Sequence, residues 1–189
     1  MFDIEFDEKQ ITKIENMLKE TPKKVPVVVA NTLTETAKYA KRITPTQILK
    51  KYTAFRGDIS NSLRVVKANS SNLEARVDSS SRQTPLIYFK TTPRKFVYRA
   101  PVVTEVKVGE SHTLTKKYFV QKMKSGHVGV FRREVKSTDY NGRLPIAQLY
   151  GPSVPQMFKN KEVISVVRDK VGNEIENKMM EQIAKEILK

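Results

Sequence analysis

At 189 residues and 21.7 kDa, with 39% hydrophobic and 29% charged residues, the chain is long enough for one sizeable core and too short to need a second. The absence of Cys excludes disulfides, thiolate metal sites and Cys nucleophiles, and a formal charge of +15 with a pI near 9.9 favours a polyanion or an acidic protein as partner. The acidic opening MFDIEFDEKQ does not suit a signal peptide and no stretch approaches the ~20 apolar residues of a membrane span, so a soluble, unprocessed chain is expected.

The charge is unevenly spread. Residues 1–20 hold three Lys against six acids, residues 21–136 hold 24 bases against seven acids, and residues 137–189 hold eight against seven. Phe2, Ile4 and Phe6 alternate with acids in a short strand-like arm, and the Asp7 and Gln10 spacing predicts a capping box opening a helix whose apolar face is Ile11, Ile14 and Leu18. A second helix is predicted over about Pro26 to Arg42, with Val29, Leu33, Ala37 and Ala40 at helical spacing. Thr44, Pro45 and Gln47 predict a third helix start, with its end near Tyr52.

From Leu63 the period changes to two. LRVVKAN, a Ser70–Asn72 turn and LEARVDS read as an antiparallel hairpin, and further strands are predicted at 85–89, 102–108, 117–123 and 127–134 in a largely antiparallel sheet. The prolines of KTTPRKFVYRAP exclude a central strand, which predicts an exposed loop. In RLPIAQLYGPSVPQMF, Pro145 is expected to open a helical turn, Gly151 to close it in the left-handed conformation, and Ser153 to cap the last helix with Pro155 in its first turn. That helix should run to about Leu188, with Val163, Val167, Val171, Ile175, Met179, Ile183 and Ile187 four apart, a stripe that drifts around the axis and meets more than one neighbour.

The expected fold is therefore α+β, a single domain (1–189) with a mainly antiparallel sheet packed with N-terminal helices and a long C-terminal helix. Its parts are an acidic arm and first helix (1–24), helices (25–52), the sheet (62–136), a Pro-rich elbow (143–158) and the terminal helix (159–189). The elbow can serve as a packed connection or as a stiff surface for subunit contact through Leu144, Pro145, Ile146, Leu149, Tyr150, Gly151, Pro152, Ser153 and Pro155. The basic tract 90–136, with 12 bases, three Glu and interleaved aromatics, fits either a nucleic-acid surface or strands with one solvated face. Its candidate DNA-facing residues are Arg94, Lys95, Arg99, Lys116 and Lys117. The acidic arm could add a strand to a basic neighbour or fray as a free terminus. His112 and His127 lack the spacing of a metal site, and no phosphate loop, nucleophile elbow or paired-carboxylate motif stands in the chain, so neither an enzyme nor a cofactor is expected.

LPIAQLYGPSVPQMF resembles the signature of the phage minor tail protein Z (tail completion) family. YFVQKMKSGHVGVFRRE and TPLIYF resemble that family's strands, and VVVANTLTETAKYAKR is similar to its second helix. The likeness spans most of residues 25–165. It implies an α+β virion protein at the head-proximal end of a phage or prophage tail. Such a protein joins head to tail as an oligomeric ring for DNA passage, beside tail tube or terminator and neck connector proteins, and is assembled in the host cytoplasm. The alternative expectation is a sequence-independent DNA-binding protein acting alone.

Overall fold

The computed structural model describes all residues except Met1, Phe6, 18–21, Arg99, Lys116, 135–144 and 188–189. The arm forms β1 (Phe2–Ile4) and runs into α1 (Glu8–Met17). The expected capping box is present: Asp7 Oδ1 accepts from Gln10 N at 2.8 Å and Gln10 Oε1 accepts from Asp7 N at 3.1 Å. Ile14 is fully buried, whereas Leu18 lies outside the described residues.

One helix replaces the two expected over 26–52. α2 (Val25–Leu49) passes straight through Thr44 and Pro45. Thr44 caps nothing; its hydroxyl donates to Ala40 O at 2.7 Å inside the helix. An internal proline forfeits a backbone hydrogen bond and costs about 3 kcal/mol. Here Thr44, Pro45, Gln47 and Ile48 are all buried, so tertiary packing overrides the local stop signal. A helix absent from the expectation, α3 (Arg56–Ser62), follows and buries Ile59.

The expected hairpin forms as β2 (Leu63–Val66) and β3 (Ala75–Ser79), with Asn69 Oδ1 accepting from Ser71 N and Asn72 N in the turn. β1 pairs antiparallel with the other edge of β3, Phe2 opposite Val77, giving the order β1-β3-β2. Over Phe2–Ile4 the arm thus pairs within its own chain as an edge strand.

The remaining strands are shorter than expected. Residues 85–89 are not a strand: β4 (Thr84–Pro85) turns at once into a 3-10 turn over Leu86–Tyr88. The basic loop begins as an edge strand, β5 (Lys90–Thr92), ahead of a cis Thr92–Pro93 bond. Then come β6 (Val102–Glu105), an unforeseen β7 (Ser111–Leu114), β8 (Tyr118–Lys122) and β9 (Val128–Arg133). The elbow supplies β10 (Ile146–Gln148) and β11 (Tyr150–Gly151), and the chain ends in α4 (Val154–Phe158) and α5 (Lys161–Ile187). The terminal helix is therefore broken at Lys159 and Asn160, where Asn160 Oδ1 accepts from Glu162 N at 3.0 Å and recaps it.

All these strand pairings are antiparallel, but they make four small sheets rather than one: β1-β3-β2, β5-β6-β7, β8-β9-β10 and the ribbon β4-β11. The α+β class stands. α2 is central, with β2 and β3 against it and α5 packed along it. A Lys51–Glu162 ion pair ties the end of α2 to the start of α5, and Glu35 acts on Lys178 from the far end, so the two helices run antiparallel. The predicted stripe is the contact: Val163, Val167, Val171, Ile175, Met179 and Ile183 are each no more than 6% exposed. Residues four apart drift about 40° per step around a helix, and α5 accordingly touches α1 and α4 as well as α2.

Candidate functional site

The elbow is extended where a helical turn was expected. β10 pairs with β9, Gln148 opposite Phe131, and β11 pairs with β4, Tyr150 opposite Pro85. Backbone bonds close the gaps: Glu134 N to Pro145 O at 2.8 Å, Leu149 N to Val130 O at 2.8 Å and Leu86 N to Leu149 O at 3.0 Å. Pro145 precedes the first ladder position, so its missing N–H leaves no bond unmade. Gly151 is not left-handed; among described glycines only Gly109 and Gly126 have positive φ. Its role is clearance, because a Cβ built there would lie 2.5 Å from Cε2 of the fully buried Phe89 ring. The Ser153 cap forms as expected, Gln156 Oε1 accepting from Ser153 N at 2.8 Å, with Pro155 in the first turn of α4.

This backbone sorts the candidate interface residues. Ser153 is buried, Leu149 packs against the core, and Pro145, Gly151, Pro152 and Pro155 are half-buried. Ile146 (40% exposed) and Tyr150 (47%) face out, and Leu144 lies outside the described residues. On the same side of the strand, Gln148 Oε1 accepts from the Tyr150 hydroxyl at 3.3 Å and lies 3.1 Å from His127 Nε2. Beneath it Gly129 lets the Phe131 ring fold down on the strand, since a Cβ there would lie 2.9 Å from Phe131 Cζ. Phe119 lies against Phe131, and the Arg133 guanidinium stacks on Phe119 at 5.1 Å. Phe131 is itself buried, so this side of β8-β9-β10 is a covered aromatic cluster beneath a polar row, His127 and Gln148, that runs into the elbow.

The basic loop forms a second outward feature. Arg94, Lys95, Phe96, Val97 and Tyr98 are all exposed after the cis proline, with Phe96 at 55% and Val97 at 52%. The loop is braced from below: the Arg94 guanidinium stacks on Phe55 at 4.8 Å, Phe55 meets Tyr88 edge-to-face, and Phe55 N donates to Tyr88 O. Lys117 is exposed at the foot of β8 in a different sheet, and Arg99 and Lys116 lie outside the described residues. Of the three candidate DNA-facing residues that are described, Arg94 and Lys95 stand together and Lys117 apart.

Glu105 anchors the root of this loop. Nearly buried, it accepts from Lys90 Nζ at 2.7 Å, Gly109 N at 2.9 Å and Ser111 Oγ at 3.3 Å. The Lys90 hydrogen bond, followed by the Gly109 N–H, holds its carboxyl below the usual carboxylate range. A depressed folded-state value means stability that is present above the unfolded value and lost as pH falls through the folded one. Glu105→Gln should therefore lower stability at neutral pH and flatten the loss of stability as the solution is acidified through and below the ordinary carboxylate range. Urea melts across that range check it. What acid sensitivity remains should include Glu181, held at about 2 by Lys185 and Lys178.

Sequence reading missed Phe55 and Tyr88 as supports, and the His127–Gln148 contact. Their partners are 33 and 21 positions apart, beyond any local pattern. A cavity of about 20 Å³ lies between α2, β2, β3 and α4, lined by Thr44, Leu63, Val77, Ser79, Val154, Pro155 and Phe158. It has room for no more than a water. Among the described residues no cluster of acids and histidines could hold a metal ion, and no helix is long and apolar enough to cross a membrane. Comparison with protein-family models, with curated proteins and with solved structures gives no match.

Proposed function

We propose that this chain is a structural virion protein of a long-tailed phage or prophage. On this reading it completes the head-proximal end of the tail and joins tail to head as one subunit of a ring through which DNA passes. The work is assembly, with no catalysis and no cofactor. Its neighbours are further copies, the tail tube or terminator, and the neck connector. The observation that carries this is the pair of outward apolar features, Ile146 and Tyr150 on the elbow and Phe96 and Val97 on the braced loop. Rigid segments that hold large apolar groups in water gain most by docking, because little conformational entropy remains to be lost. The elbow is also where the likeness to minor tail protein Z is densest, in LPIAQLYGPSVPQMF.

Electron microscopy of particles made without this chain tests the proposal. Unjoined heads and tails are expected, and normal joined particles would overturn it.

A second reading, sequence-independent DNA binding by the lone chain, is favoured by Arg94 and Lys95 standing beside exposed aromatics. It predicts tight duplex binding that falls steeply with salt, with a slope that diminishes by about one for each phosphate contact removed. Titration of wild type against Lys95→Glu from low to high salt separates the readings, since the assembly proposal expects weak duplex binding outside the ring.

A further inference from the structure

We infer that residues 2–17 form a strap that opens as one unit while the rest of the fold stays closed, baring the edge of β3 that β1 covers. The strap is continuous: Glu5, Phe6 and Asp7 alone separate β1 from α1, and Asp7 and Gln10 cap each other across the join. It meets the body along β3, α2 and α5. The inference is independent of how copies of the chain assemble.

The strap is held at few points. Among the residues of 2–17 whose side chains are described, Ile4 and Ile14 are the buried ones. Ile4 stands opposite the fully buried Ala75, and Ile14 is itself closed off from solvent. Seven of the ten residues of α1 are exposed, Met17 among them at 40%. A helix of this length is marginal in water by itself and takes its stability from the face it buries. Two isoleucines offset little of the backbone entropy lost when such a segment is ordered. The body is held differently, since α5 alone buries six residues at four-residue spacing, each no more than 6% exposed. Segments with few buried apolar contacts open at a small fraction of the global stability. The strap therefore opens first, and the stripe between α2 and α5 stays closed behind it.

Opening changes what the surface offers. Without β1, β3 keeps β2 on one side and presents Ala75–Val77 as an unpaired edge on the other. An open strand edge is a template for any extended backbone that reaches it, and folded proteins keep such edges covered. The strap is thus a guard on β3.

Hydrogen exchange of the wild-type chain, read by mass spectrometry, tests this. Relative to unfolded peptide, amides of α1 should exchange at least about a hundredfold faster than those of α2 and α5, at a rate that urea changes little. A reversible lock then asks whether β1 and α1 leave together. Ile4→Cys with Ala75→Cys places two thiols at cross-strand partners, within reach of a disulfide, in a chain that has no other Cys. With the bridge formed, α1 should exchange at least about tenfold more slowly than in the wild type, and reductant should restore fast exchange. Exchange in the wild-type α1 as slow as in α2 and α5 would overturn the inference, because the strap would then open only with the whole fold. Fast exchange in α1 that the bridge leaves unchanged would also overturn it, because the helix would then open without β1.

Discussion

Replacing Gly151 by Ala is expected to destabilise the protein by about 1–3 kcal/mol, and by Val more, since overpacking a filled core costs on that order. An added Cβ would meet Phe89 Cε2 at 2.5 Å and Cζ at 2.9 Å, and Phe89 is fully buried, so the ring has nowhere to turn. The origin of the penalty is separable. Phe89→Leu removes ring atoms from that space, so the double variant should be less destabilised than the sum of the two singles, with a coupling of about 0.5–3 kcal/mol. Gly172→Ala is the contrast. Nothing lies within 4 Å of its added Cβ and the position is exposed inside α5, so a gain of about 0.5–1 kcal/mol is expected from helix propensity. Urea melts of the wild type and these five variants, with m-values to confirm an unchanged transition, measure all of this. Equal effects of alanine at Gly151 and Gly172 would show that the Phe89 contact is not what requires glycine at the elbow.

The second large effect is expected in the helix pair. Val167 is fully buried in the stripe of α5. Aspartate there would bury a carboxylate without a partner, or force it to stay protonated, at a cost of about 3–5 kcal/mol. Against a typical total stability of about 5–15 kcal/mol, that removes a fifth or more. Ser165→Asp, two residues earlier and exposed, should stay within about 0.5 kcal/mol of wild type. Chemical denaturation of the two variants decides it, and equal losses would mean that α5 is not held by this stripe.

Much of the fold could be read before the structure, and the readable parts share a cause. The capping boxes at Asp7 and Ser153 involve residues three apart, and the α5 stripe repeats every four, so both are written within one turn of chain. The hairpin of β2 and β3 was legible because Asn69 closes its turn locally. The misreadings arose where local chemistry met a tertiary neighbour. Thr44, Pro45 and Gln47 have the residues of a helix start, but their burial against the core keeps α2 continuous. Gly151 has the look of a turn residue because glycine commonly supplies positive φ, whereas the Phe89 ring explains it here, from 62 positions away. Strands of two or three residues, such as β4, β10 and β11, are too short to show a period, and so the residues of the elbow spell a helical turn locally. At the candidate site, the sequence placed the loop cations and the elbow but not their orientation. Burial divides the elbow, leaving Ile146 and Tyr150 outward while Ser153 serves the core.

On the proposed reading, outward apolar groups of the elbow and the braced loop join copies of this chain into a ring. Native mass spectrometry of the wild-type protein over a range of concentrations tests it most directly. A ring with an opening for DNA needs three or more subunits, so a single dominant species at three or more multiples of 21.7 kDa is predicted. A mass that remains at one chain, or that stops at a dimer, would contradict it.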